Sequence, residues 1–292
     1  MIIPTFVSNK LLHGAGQIML QENKWTGLFF IVGLFVSSWK FGVACVIAII
    51  VATLTAGLLK YKQQNIDAGL YGFNAALIGI ALIFFFDDTI IIWLLIVVGS
   101  ILSSLLQHFF ITKKIPAFTF PFIIITWAIY FLLHQYYHVQ PSVFIQEKFT
   151  ANEYDKYFFI FRNFGQVIFQ SSIVASVLFF IGVLFNNYIA AVYALVISAL
   201  SALLFYWIGF EINQMLMGLF GFNIVLTVIA FAGNKKSNFI WIFIGAIITI
   251  IIHFVLIKTN ILNRVGGVLT FPFVAATWIT LFIQKFSKKG IS

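Results

Sequence analysis

The sequence predicts an all-α polytopic membrane protein made of two inverted five-helix repeats, ten transmembrane helices in all, with re-entrant or interrupted helices around a central pore. Three observations predict it: an apolar composition, ten apolar runs divided five and five by a polar gap, and motif blocks that recur in one order at nearly one spacing. The 292 residues are 62% hydrophobic and 9% charged, with a mean hydropathy of +1.07. Soluble domains run about half apolar and a quarter charged. Seventeen basic and eight acidic side chains cannot cover a water-soluble body of this size, and 37 Phe exclude a disordered chain.

A hydrocarbon core about 30 Å thick takes roughly 20 apolar residues per helix, fewer where the bilayer thins. In chain order the runs lie at 25–38, 41–59, 69–86, 89–111 and 117–134, then at 167–185, 188–208, 214–232, 237–257 and 267–284. Lys60 and Lys62 close the second run, Asp87 and Asp88 part the third from the fourth, and Lys113 and Lys114 part the fourth from the fifth. Between the sets of five lies a more polar stretch, Gln135 to Arg162. The first repeat is therefore 1–134, the connection 135–162 and the second repeat 163–292.

Ten spans put both termini on one side. Lys60, Lys62, Lys113, Lys114, Lys235, Lys236, Lys285, Lys288 and Lys289 fall on that side, while Asp87, Asp88, Glu147, Glu153 and Asp155 fall on the other; Lys258 and Arg264 are exceptions. The positive-inside rule makes the basic side cytoplasmic, so the chain is expected in the cytoplasmic (inner) membrane with both termini inside and 135–162 outside. Met1 to Gly16 lacks a charged segment followed by a long apolar stretch, so no cleavable signal peptide is expected. The single Cys45 lies in an apolar run, which leaves no disulfide framework and no cysteine metal site.

The internal repeat is read directly. Gly16-Gln17-Ile18-Met19-Leu20-Gln21 matches Gly165-Gln166-Val167-Ile168-Phe169-Gln170 at an offset of 149, and Gly33 meets Gly182. Gly69-Leu70-Tyr71-Gly72-Phe73-Asn74 meets Gly218-Leu219-Phe220-Gly221-Phe222-Asn223 at the same offset, with Leu77 facing Leu226. Thr119-Phe120-Pro121-Phe122 matches Thr270-Phe271-Pro272-Phe273 at 151, as Thr126-Trp127 matches Thr277-Trp278. An odd number of spans per copy turns the second copy over, so a pseudo-two-fold axis lies in the membrane plane. Inverted repeats hold their solute site near the midplane, where interrupted helices meet.

Gln17 and Gln166 carry donors and an acceptor without charge; each either lines a path or pins neighbouring backbone. Thr119 and Thr270 before their prolines offer an oxygen to a solute or satisfy backbone. Phe73 and Leu77, with Phe222 and Leu226, repeat at helical i, i+4 spacing, which is packing or the wall of a slot. Asn74 and Asn223 are expected to hold local backbone, with direct solute contact as the alternative. Leu20 and Phe169 lie one turn beyond the repeated Gln if that stretch is helical. No Asp, Lys or Arg falls near the middle of a predicted span and Glu211 lies near an end, whereas ion pathways and proton relays carry intramembrane charge. His108 and His253 sit nearer the interior, as hydrogen-bonded structure or as proton carriers. Such a lining suits a small neutral polar solute.

At these blocks the sequence resembles the urea transporter family, through Gly69 to Leu77 and Gly218 to Leu226, the Thr-x-Pro-Phe blocks at 119–122 and 270–273, and the Gly-Gln blocks at 16–17 and 165–166. The resemblance implies a homotrimer with a pore in each protomer and a passive, channel-type passage of urea, without cofactor or metal. It implies that Phe73, Leu77, Phe222 and Leu226 wall narrow slots, that Gln17 and Gln166 accept hydrogen bonds there, with Leu20 and Phe169 beside them, and that Thr119 and Thr270 do so at the centre. The family often has an Asn-Asn-Pro or Asp-Asn-Pro run after Gly-Gln; here Glu22-Asn23-Lys24 has Lys for Pro, and Ser171-Ser172-Ile173 retains none of it. The alternative is an ion-coupled secondary transporter on inverted repeats; a membrane enzyme would need clustered His, Asp or Glu, and the five His are scattered.

Overall fold

A computed structural model describes residues 3–146, 149–233 and 236–289. Glu147 and Lys235, two of the charges in the orientation argument, lie outside the described residues. The first half forms α1 (Ile3–Gly16), α2 (Lys24–Ser37), α3 (Trp39–Leu58), the short α4 (Gln63–Asp67), α5 (Gly72–Phe85), α6 (Ile90–Thr112) and α7 (Phe120–Leu132), which continues as a π turn to Tyr137. After α8 (Val143–Gln146), the second half repeats the order as α9 (Asp155–Val167), α10 (Ile173–Asn186), α11 (Tyr188–Trp207), α12 (Ile212–Leu216), α13 (Phe222–Phe231), α14 (Lys236–Thr259) and α15 (Phe271–Lys289).

Among the described residues, five helices are long and apolar enough to cross a membrane: Trp39–Leu58, Ile90–Thr112, Phe120–Tyr137, Tyr188–Trp207 and Asn238–Thr259. Four apolar helices are shorter, Lys24–Ser37, Gly72–Phe85, Ile173–Asn186 and Phe222–Phe231. The apolar run at 214–232 is broken, with α12 and α13 separated by a turn at Met217–Gly221. Two helices go beyond the sequence reading. Helix α1 precedes the first apolar run, and α9 begins within the stretch read as a polar connection. Hydropathy misses α9 because Asp155 and Arg162 neutralise each other inside the fold, 0% and 5% exposed.

The helix starts use paired chemistry. The Asn23 side chain accepts from Trp25 and Thr26 N–H at the start of α2, and Ser172, its counterpart at offset 149, accepts from Ala175 N–H at the start of α10. Ser38 caps α3 and its counterpart Asn187 caps α11. Each satisfies an amide that the first helical turn leaves unpaired. Ser172 thus keeps the capping task although the Asn-Pro run is absent.

The halves meet through reciprocal contacts. Phe30 on α2 and Phe179 on α10 are counterparts and pack edge to face with centroids 5.4 Å apart; the Phe179 ring covers Gly33, and the Phe30 ring covers Gly182. Trp127 Nε1 donates to Gly267 O at 3.0 Å, and Trp278 Nε1 donates to Pro116 O at 2.7 Å. At an offset of 151 these are one contact made twice, the pattern that a two-fold relation between the halves generates.

Candidate functional site

Each Gly-Gln block ends a tightly packed helix. Helix α1 passes over a glycine turn: Gly69 has φ +75°, and a Cβ there would lie 2.4 Å from Gly14 N. Gly218, φ +84°, lies against Arg162 on α9, where a Cβ would be 2.5 Å from the carbonyl carbon. Only glycine takes both the left-handed conformation and this approach. The chain leaves each helix by a tight turn that ends in a left-handed residue, Leu20 at φ 59° and Phe169 at φ 57°. Leu20 N–H bonds Gln17 O at 2.9 Å and Phe169 N–H bonds Gln166 O at 3.3 Å. The stretch is thus one tight turn rather than a continuing helix. Backbone held there by non-glycine residues is strained and needs surrounding structure to persist. Gln21 and Gln170 give that support, donating back to Met19 O and Ile168 O at 2.9 Å each.

Asn74 and Asn223 hold backbone, as expected, though not locally. Each is fully buried and bridges to the turn before α7 or α15. Asn74 Nδ2 donates to Phe118 O and its Oδ1 accepts from Phe122 N–H, both at 3.1 Å. Asn223 Nδ2 donates to Leu269 O at 3.2 Å and its Oδ1 accepts from Phe273 N–H at 3.1 Å. Phe118 and Leu269 are themselves left-handed, φ 47° and 46°. These clamps aim Thr119 and Thr270 at each other, with hydroxyls 2.7 Å apart and both residues buried. The two halves therefore share a hydrogen bond at the residue that begins each Thr-x-Pro-Phe block.

Around that bond the predicted residues divide. Gln166, Phe169, Phe222 and Thr270 line one cavity of ≈ 280 Å³. Gln17 is buried and donates from Nε2 to Ala68 O at 3.0 Å. Phe73 and Leu77 lie one turn apart on α5, both buried, as is Leu226 on α13, and Leu20 is half-buried. None of these five lines the 280 Å³ cavity. Phe169 reaches into the first half, its centroid 5.1 Å from Phe84, 5.7 Å from Phe85 and 6.2 Å from Phe122.

A second cavity of ≈ 440 Å³ shares Phe84, Gln166, Phe169 and Leu219 with the first and extends to Thr150, Ser171 and Ser172. Arg162 lines it, ion-paired to Asp155 at 2.5 Å with its guanidinium 4.7 Å over the Phe149 ring. The sequence reading passed over Arg162, which is the offset-149 counterpart of His13; that correspondence was the available signal. The two histidines near the interior part company. His108 stacks on Tyr61 at 3.5 Å and bonds the Tyr71 hydroxyl at 3.1 Å, whereas His253 lines the smaller cavity. Among the described residues no group of three or more His, Cys, Asp or Glu side chains could hold a metal ion.

Comparison with known proteins agrees with the repeated blocks. Urea transporter 1 of Rattus norvegicus is 29% identical over 119 residues, 38% of this chain and 31% of the relative. Urea transporter 1 of Ovis aries is 32% identical over 120 residues, with the same shares. The chain thus spans about a third of the length of these relatives. The family model described as Urea transporter matches residues 9–285, across both halves and every repeated block, and the chain belongs to that family.

Proposed function

We propose that this protein is a passive, channel-type urea transporter of the cytoplasmic membrane. Two inverted five-helix repeats, residues 1–134 and 163–292 joined by an outer segment 135–162, surround its pore. The observation that carries the reading is the cavity beside the Thr119–Thr270 bond, which sets the amide of Gln166 and the hydroxyl of Thr270 among the rings of Phe169 and Phe222. Urea is planar and neutral, with four N–H donors and one carbonyl. Side-chain oxygens spaced along a narrow apolar wall replace its water, and conduction needs sites that admit it and release it with equal ease.

In this reading the two-fold relation makes the path a mirrored sequence. Gln166, Phe169, Phe222 and Leu226 form one slot, Thr270 and Thr119 the centre, and Gln17, Leu20, Phe73 and Leu77 the other. The reciprocal tryptophan and phenylalanine contacts support the inverted arrangement. The larger cavity, bounded by the 149–172 segment, is the outer vestibule. The protomer carries its whole path and assembles as a homotrimer in membrane lipid, with both termini cytoplasmic and no cofactor.

The test is stopped-flow light scattering on proteoliposomes, with urea against formamide and glycerol and no ion gradient. Urea entry well above empty liposomes is expected, with Gln166→Leu about fivefold slower through the loss of one hydrogen-bonding station. Urea entry that begins only when a proton or sodium gradient is imposed would favour the ion-coupled alternative, and glycerol entry as fast as urea would end the narrow-slot reading.

A further inference from the structure

His253 breaks the repeat at the cavity wall. Helices α6 and α14 run in register at an offset of 146. A Cβ on Gly99 would meet Ile78 Cγ2 at 2.9 Å, and one on Gly245 would meet Thr227 Cγ2 at 3.0 Å, and Ile78 and Thr227 are counterparts at 149. In that register His253 stands where the first half has Gln107. There Asn74 Nδ2 donates to Gln107 Oε1 at 3.1 Å, which consumes the acceptor in structure. In the second half, among the described residues, the Asn223 amide donates to Leu269 O alone, and His253 is released from that task to line the 280 Å³ cavity.

The ring is 1% exposed and gripped by two aromatics. Phe222 stands edge to face at 5.6 Å and Phe205 lies tilted at 5.6 Å. Among the described residues its Nδ1 is buried without a hydrogen-bond partner. A proton on Nδ1 would be a buried donor with no acceptor, the rarer kind of orphan, which favours the tautomer with its proton on Nε2. The cavity is otherwise lined by apolar side chains and by Gln166, Gln214 and Thr270, with no Asp, Glu, Lys or Arg. A permeant bearing a carbonyl needs a donor as well as acceptors when its water is stripped away, and an unmet carbonyl in such a wall is penalised.

We propose that His253 is a specificity-determining residue whose Nε2–H donates to the carbonyl oxygen of the permeant in the second-half cavity, favouring an oxygen over a sulfur at that atom. The inference rests on the passive urea pathway proposed above and deepens it by assigning a fixed N–H donor to the permeant's carbonyl, in a cavity whose Gln166, Gln214 and Thr270 side chains can turn either a donor or an acceptor to it.

The experiment compares wild type, His253→Phe and His253→Gln in proteoliposomes with urea and thiourea. Phe keeps the packing against Phe205 and Phe222 and deletes the donor; Gln is the residue that the first half carries in register and restores an N–H. His253→Phe should lower urea permeability about fivefold and thiourea permeability by less than about twofold, because sulfur is the weaker acceptor. The urea-to-thiourea ratio should return to within about twofold of wild type in His253→Gln. Equal loss for both solutes, or no loss for either, overturns the proposal and leaves His253 a packing residue. Should the Phe variant fail to assemble, His253→Leu carries the same comparison. Failure of the pathway itself is distinguishable, since wild type would then conduct no urea before any variant is compared.

Discussion

Phe222 is a wall residue whose ring borders the cavity directly. Its ring is 9% exposed, borders the cavity and stands edge to face with His253. Truncation removes the ring from a surface that already faces space, so the loss is felt by solutes more than by the fold. Phe222→Ala should raise the permeability of N,N′-dimethylurea relative to urea about tenfold, the scale at which an apolar pocket discriminates added methyl groups. An unchanged ratio in the same liposome assay would return Phe222 to ordinary packing. At this scale the site was legible where chemistry repeats, and partners were legible only in part. The offset of 149 identifies Gln17 with Gln166, yet one amide is bonded to Ala68 O and the other borders a cavity. Equivalence in sequence says which residues correspond, and contact depends on where the fold places each of them. Thr119 and Thr270 touch because the Asn74 and Asn223 clamps bring their two turns together.

Elements owe their placement to glycine turns and asparagine clamps more than to hydrophobic length. Gly218 and Gly209 both have positive φ, +84° and +99°, and differ in what surrounds them. A Cβ on Gly218 would strike Arg162 backbone at 2.5 Å, whereas one on exposed Gly209 would meet nothing within 4 Å. Both pay the left-handed penalty of about 1–2 kcal/mol in Gly→Ala, and Gly218→Ala adds overpacking of about 1–3 kcal/mol. Gly218→Ala should therefore lower the apparent unfolding temperature of the detergent-purified protein clearly more than Gly209→Ala; equal shifts would mean that the α9 contact yields freely. The apolar runs reveal the long helices, and α1 and α9 escape such a reading for a physical reason. Each is 13 or 14 residues long and carries polar side chains with partners inside the fold, Arg162 with Asp155 and Asn163 with Ser198 on α9. On α1 they include His13, bonded to Asp67 O at 2.8 Å, and Lys10, paired to Asp67 at 3.3 Å. A hydropathy profile counts such side chains in full, whether or not the fold gives them partners.

At the scale of the whole molecule two halves follow one order of helices, and the proposed orientation in the membrane rests on charge. Lys113 and Asp88 flank α6, a 23-residue helix of about 35 Å at 1.5 Å per residue, so one spanning helix separates the two charges. Asp88 pairs with Lys40 at 2.9 Å, which ties the α2–α3 turn to the start of α6 and puts both on one face. The inverted reading makes that face extracytoplasmic, together with Thr150 in the segment between the halves, while Lys113 and Lys285 face the cytoplasm. Single cysteines at 88, 113, 150 and 285, introduced after Cys45→Ala, test all four at once with a membrane-impermeant maleimide on intact cells. Positions 88 and 150 should label from outside, and 113 and 285 only after permeabilisation. Labelling of 88 and 113 from the same side would remove α6 as a spanning helix, and with it the odd number of crossings. Without an odd number the second half would not be turned over, and the reciprocal bonds of Trp127 and Trp278 would need an axis outside the membrane plane.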